Sequence, residues 1–159
     1  PWSLEKSVFA PRVREADARA FFDTPRLLAR AFEADWARAK MDRALRDARA
    51  RAKVRSLLRP RYGLLREVFR FHALGQGLDP WTMGLNEFTA FRRDAGIEAA
   101  DREQEFDLAF LQATVAPGLG RGGGAAAGEA GAGKALRRHE FLEAVVRCAL
   151  VLYPPGVTT

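Results

Sequence analysis

The sequence predicts an all-α fold: an extended amino-terminal arm and a long basic amphipathic helix, followed by two helix–loop–helix units packed against each other. Three observations carry this expectation. Apolar residues recur at three- and four-residue steps, the spacing that lines one face of a helix. Caps and prolines stand where that period begins and ends. A short pattern also occurs twice, as Met83-Gly84-Leu85-Asn86-Glu87-Phe88-Thr89-Ala90-Phe91 and as Leu136-Arg137-Arg138-His139-Glu140-Phe141-Leu142-Glu143-Ala144. Each copy runs from an apolar residue to Glu-Phe and on into an apolar helix.

Residues 1–23 mix polarities without a sustained period and are expected to form the arm, with Trp2, Val8 and Phe9 as apolar side chains in need of a surface. Asp23-Thr24-Pro25 is a helix start, Thr24 as N-cap and Pro25 as first helical residue. From there Leu27, Leu28, Ala31, Phe32 and Trp36 share a face. That face thins through Met41, Leu45, Ala48 and Ala52 to Leu58, and Pro60 is expected to stop it. Residues 24–59 are thus read as one long helix. The paired unit is read over 60–155. Leu64, Leu65, Val68, Phe69 and His72 form the face of its first helix, ended by Gly75-Gln76-Gly77. Phe88, Phe91 and Ala95 mark the next helix, closed by Gly96, and Phe106, Ala109, Phe110 and Ala113 the inner side of a helix over 101–113. The last runs from about Arg138 to Tyr153 with Phe141, Leu142, Val145, Val146, Ala149 and Leu150, and Pro154-Pro155 ends it. Between these last two helices, 118–133 is almost wholly Gly and Ala, the composition of a flexible insert.

The repeated pattern is how the second half of an EF-hand calcium loop enters its exiting helix. With Glu87 and Glu140 at the twelfth loop position, counting back gives the other ligands. An EF-hand needs oxygen-bearing side chains at positions one, three and five and a Gly at six. The first copy has Gln76, Leu78, Pro80 and Trp81 there; the second has Glu129, Gly131, Gly133 and Lys134. Neither set surrounds a calcium ion, so no metal or cofactor is expected. The loop ends, 82–85 and 135–137, are expected to pair as a short antiparallel ladder with Met83 facing Leu136.

The net charge of +6 is unevenly placed. Residues 38–61 hold ten basic side chains (Arg38, Lys40, Arg43, Arg46, Arg49, Arg51, Lys53, Arg55, Arg59 and Arg61) against Asp42 and Asp47. One reading is a solvated helix of arginine-biased composition; the other is a contact for a polyanion. No aromatic residue interleaves the arginines, which argues against nucleic acid, and an acidic protein surface fits as well. No apolar run approaches the roughly 18 residues of a membrane span. Cys148 is the one cysteine and lies among Val145, Val146, Ala149 and Leu150, so a buried thiol in a reducing compartment is expected. Gly128-Glu129-Ala130-Gly131-Ala132-Gly133-Lys134-Ala135 nearly spells a phosphate-binding loop, yet no strand precedes it and Ala135 replaces the hydroxyl. His72 and His139 lack partners at metal-ligand spacing. The acidic residues sit on arginine-rich helices and are read as surface carboxylates, so neither an active site nor a small-molecule substrate is expected.

A resemblance covers about 8–153, apart from the Gly/Ala insert. Val8-Phe9-Ala10-Pro11-Arg12, Glu15-Ala16-Asp17-Ala18-Arg19-Ala20-Phe21-Phe22-Asp23-Thr24 and Ala31-Phe32-x-x-Asp35-Trp36 resemble the opening of a module common in axonemal proteins of ciliated and flagellated protists. Trp81-x-Met83-x-Leu85-Asn86-x-Phe88-Thr89-x-Phe91 with Gly96-Ile97, then Asp107-Leu108-Ala109-Phe110-x-x-Ala113-Thr114, resemble its middle. Ala135-Leu136-x-Arg138-x-Glu140-Phe141-Leu142-Glu143-Ala144-Val145-Val146-Arg147 resembles its last helix. The resemblance implies a calcium-site-degenerate, EF-hand-like module of a ciliary or flagellar axoneme. Its implied partners are tubulin or other axonemal proteins, with no catalytic residue to carry over. The contact residues expected are Arg38, Lys40, Arg43, Arg46, Arg49, Arg51, Lys53 and Arg55 with Trp2, Phe9 and Trp36, although the arginine enrichment departs from the usual pattern of that module. A calcium-responsive regulator and a basic nucleic-acid-binding module are the rival readings.

Overall fold

Thr24 caps the first described helix as its sequence requires: its hydroxyl accepts from the backbone N–H of Leu27 at 3.3 Å, with Pro25 in the first turn. The computed structural model describes Ser3, Lys6 and residues 24–76, 79–114 and 135–154. The arm over 1–23, with Trp2, Val8 and Phe9, lies outside the described residues apart from those two positions. So do the Gly/Ala tract and the loop resembling a phosphate-binding turn. The chain is mostly helical. In order come α1 (Pro25–Arg38), α2 (Met41–Ala44), α3 (Ala48–Leu58), a 3-10 turn (Arg59–Arg61), α4 (Tyr62–Gln76), β1 (Thr82–Met83), α5 (Leu85–Asp94), α6 (Glu103–Thr114), β2 (Leu136–Arg137) and α7 (Arg138–Leu152). Among the described residues, no helix is long and apolar enough to cross a membrane.

One long helix over 24–59 does not form. Ala39 turns extended (ψ 132°) after α1, and Leu45 turns extended (ψ 100°) after α2. Two groups explain the breaks, one distant in the chain and one local. The backbone N–H of Lys40 donates to the Glu143 carboxylate of α7 at 3.2 Å, which draws the chain into a corner. Asp47 then restarts the helix, accepting from the N–H groups of Arg49 (3.2 Å) and Ala50 (2.8 Å) as an N-cap. Pro60 does not end the helical path either. It sits in the first turn of the 3-10 segment, where its missing N–H costs little, and helical geometry resumes at Tyr62.

The strands β1 and β2 pair antiparallel with Thr82 opposite Arg137 and Met83 opposite Leu136. This is the register expected from the sequence. Met83 and Leu136 are fully buried. Gly96 closes α5 with φ +66°, a left-handed conformation that glycine adopts without penalty. The N–H of Ile97 returns to the carbonyl of Arg92 (2.8 Å) and that of Gly96 to the carbonyl of Arg93 (3.1 Å). These paired bonds satisfy carbonyls the helix end would orphan.

Two apolar clusters form the core, and α7 lies between them. Phe69, Ala73, Met83, Phe88, Phe91, Phe106, Ala109, Phe110, Ala113, Leu136, Phe141, Ala144 and Cys148 build the first. Phe32, Ala39, Met41, Tyr62, Leu142 and Val146 build the second. Helix α7 therefore buries consecutive residues from Phe141 to Ala144, because it has packed neighbours on opposite sides. The phenylalanines of the two Glu-Phe patterns meet through one ring: Phe88 lies 5.8 Å from Phe91, and Phe91 stands edge-on to Phe141 at 4.9 Å. The four inner positions expected on α6 are all buried. Leu64 and Ala149, expected to face inward, are exposed. In α4 the buried line runs through Tyr62, Phe69, His72 and Ala73, which turns Leu64 outward.

Candidate interaction surface

The sequence-marked basic residues fall on three short segments rather than one face, and part of their charge is spent inside the fold. Arg51 donates from Nη1 to the carbonyls of Leu45 and Arg46, both at 2.7 Å, and so ties α3 to the end of α2. Arg55 is ion-paired with Glu33 of α1, and Arg59 approaches the same carboxylate at 3.7 Å. Lys40 is half-buried at the corner held by Glu143. Arg38, Arg43, Arg46, Arg49 and Lys53 are exposed. Trp2 and Phe9 lie outside the described residues. Trp36 is half-buried and packs with Leu28 against the second cluster, its ring 5.8 Å from that of Phe32. The apolar stripe of α1 thus completes the core.

Charged groups within the core correct the reading of every carboxylate as a surface group. Asp35 is 3% exposed. It accepts from the Tyr62 hydroxyl at 2.5 Å and from Arg138 Nε and Nη2 at 2.5 and 3.1 Å. Burial, followed by the bond to this carboxylate, pushes the Tyr62 phenol well above its ordinary range. The same carboxylate holds the Arg138 guanidinium above its own. Glu143, 1% exposed, accepts from Arg147 Nε (3.1 Å) and Nη2 (2.9 Å) besides the Lys40 N–H. Arg147 then donates to Gln112 Oε1 of α6 at 2.5 Å. Arg92, 2% exposed, donates to Glu103 at 2.7 Å and lies 4.4 Å from the centre of the Phe106 ring. The sequence did hold a signal for Asp35: it sits three residues after Phe32 and one before Trp36, within the apolar stripe.

The loop carboxylates serve their own turns and helix starts. Asp79 accepts from the Thr82 hydroxyl at 2.6 Å and from the Trp81 N–H at 2.9 Å, bonds that favour the carboxylate and hold its pKa below the usual carboxylate range. Glu140 folds back to accept from the Arg137 N–H at 2.8 Å and so caps α7. Glu87 leans over Gly84, where an added Cβ would meet its carboxylate oxygen at 2.6 Å. No cluster of three or more His, Cys, Asp or Glu poised for a metal occurs among the described residues. Cys148 is buried, and burial pushes its thiol up to about 12. His139 is half-buried, and the same desolvation lowers its basicity. An open groove between α6 and α7, lined by Leu108, Ala109, Leu150 and Val151 among others, holds about 230 Å³. That is below the roughly 300–1,000 Å³ of small-molecule sites.

No protein-family model, no curated protein and no solved structure matches the chain.

Proposed function

We propose that the chain is a non-catalytic interaction module of a ciliary or flagellar axoneme. In this reading α4 to α7 form an EF-hand-like pair without calcium ligands, and exposed basic and apolar helical surfaces attach it to microtubules or a large axonemal complex. The observation that carries the reading is the pairing of Met83 with Leu136. Counted back from Glu87 and Glu140, each is the eighth residue of its loop, the position at which paired EF-hand loops meet. The meeting of Phe88, Phe91 and Phe141 behind that ladder supports the same reading. Against calcium stand Pro80 and Trp81 at positions five and six, with Asp79 and Glu140 committed to turn and cap.

Sedimentation with polymerised microtubules tests the proposal. Binding is expected to saturate, to weaken when the acidic tubulin tails are removed, and to exceed binding to unrelated RNA. Failure to sediment with microtubules or with isolated axonemes refutes it. Calorimetric titration addresses the calcium rival, and no saturable heat is expected. A micromolar site would make the chain a sensor.

A further inference from the structure

The chain from Ala48 to Gln76 is helical throughout, as α3, the 3-10 turn and α4. Its outward face carries four large apolar side chains: Leu57 (58% exposed), Leu64 (68%), Phe71 (71%) and Leu74 (54%). Leu57, Leu64 and Phe71 are spaced by seven. Within α4, at 3.6 residues per turn, the interval from Leu64 to Phe71 falls about 20° short of two full turns, so these two stack along one side, and Leu57 stands before them across the 3-10 turn. From Leu57 to Leu74 the ridge is roughly 25 Å long. The opposite side of the same helix holds Tyr62, Phe69 and Ala73 in the core, so the ridge is surplus to folding. Four such side chains in a row expose on the order of a few hundred Å², the size at which an apolar patch marks an interaction site.

The border of the ridge is basic. Residues 48–76 contain eight Arg and Lys against Glu67, and Glu33 of α1 answers two of them, Arg55 and Arg59. Arg61 donates to the carbonyl of Leu57 at 2.9 Å, which sets its guanidinium beside the ridge. Lys53 and Arg49 are exposed about one and two turns before Leu57. Glu67 is itself paired with Arg70 at 3.3 Å. We propose that this ridge docks an amphipathic helix of an acidic partner protein, with apolar residues against Leu57, Leu64 and Phe71 and carboxylates against Arg49, Lys53 and Arg61. Complementary charge of this kind selects the partner and its orientation. A second copy of the chain would bring like charge against like. The arm over 1–23 balances four basic with four acidic residues and so brings no net charge to complement the border. The proposal stands apart from the axonemal reading, since it concerns the chemistry of the partner and not where the partner resides.

The test uses the full chain and a fluorescent three-heptad peptide with Leu at the a and d positions and Glu at e and g. Two control peptides replace the Glu with Gln or the Leu with Ser. Fluorescence anisotropy should show that only the first peptide binds well and that added salt weakens it. Leu64→Ser with Phe71→Ser should raise its Kd about tenfold or more, with circular dichroism unchanged. Lys53→Glu with Arg61→Glu should weaken binding and remove most of its salt dependence. Any of these results overturns the proposal: no binding of the Leu/Glu peptide, equal binding of the Gln peptide, an unchanged Kd in the ridge variant, or a parent dimer that this variant converts to monomer, which would assign the ridge to a second copy. Tighter peptide binding by a Trp2→Ser, Phe9→Ser variant would assign it to the chain's own arm and equally defeat the proposal.

Discussion

Replacing Asp35 with alanine should destabilise the fold more than any exposed charge change, and the structure sets the size of the loss. The side chain removed is 3% exposed and accepts three hydrogen bonds, one from Tyr62 and two from Arg138. Removing one member of a buried ion pair costs about 3–5 kcal/mol, because the other is left desolvated and uncompensated. The Arg138 side chain is 37% exposed, so water recovers part of that penalty. The low end applies, roughly 3 kcal/mol, of which about 1 kcal/mol belongs to the stranded Tyr62 hydroxyl. For a domain of this size that is a fall of roughly 10 °C in Tm. Urea unfolding followed by far-UV circular dichroism measures it directly. Asp35→Asn keeps the shape and one acceptor and should lose less. Tyr62→Phe should lose about 1 kcal/mol, and combined with Asp35→Ala its cost should largely vanish, since the bond is already gone. An Asp35→Ala loss below about 1 kcal/mol would refute the reasoning, as would full additivity with Tyr62→Phe.

Phe32→Ala empties a fully buried site in the second cluster and should cost about 3–5 kcal/mol, whereas half-buried Trp36→Ala should cost visibly less; a Trp36 variant that melts like the parent would remove it from the core. The Cys148 thiol is pushed up from 9.0 to about 12 in the folded chain. Its contribution is therefore whole below pH 9 and is lost as pH climbs from 9 toward 12, because the unfolded thiol ionises first. Cys148→Ala should flatten that alkaline fall relative to the parent in urea melts at stepped pH, and parallel curves would contradict the assignment. Gly96→Ala should destabilise by about 1 kcal/mol through backbone strain alone, since φ is +66° and nothing lies within 4 Å of the new methyl group; a neutral or stabilising effect by chemical denaturation would show that the turn relaxes freely.

The parts legible in the sequence were those governed by local period and by pairs of like segments. The inner face of α6 followed from Phe106, Ala109, Phe110 and Ala113 because three- and four-residue spacing defines a helical face regardless of what covers it. The register of the ladder followed from aligning two copies of one pattern. What escaped was set by groups distant in the chain. The break after α1 depends on Glu143 accepting the Lys40 N–H, and no window around residue 40 contains that acceptor. A thin alanine stripe ran on through the break and mimicked continuity. Asp35, Arg92 and Glu143 escaped for a related reason: an ionisable side chain is buried only where its counterpart arrives with it, and those counterparts lie 103, 11 and 4 residues away.

Two fasteners of the first helix, Asp35 to Arg138 and Lys40 to Glu143, each span 103 residues. This separation has a consequence for synthesis. At a translation rate of roughly 5–20 residues per second, the residues that receive α1 leave the ribosome about 5 to 20 s after it does. Throughout that interval Phe32 has no Leu142 or Val146 to cover it, and Asp35 has no guanidinium. The nascent chain must carry an adhesive α1 until α7 is made, so a truncated product ending before α7 should be captured by chaperones rather than released as a folded fragment.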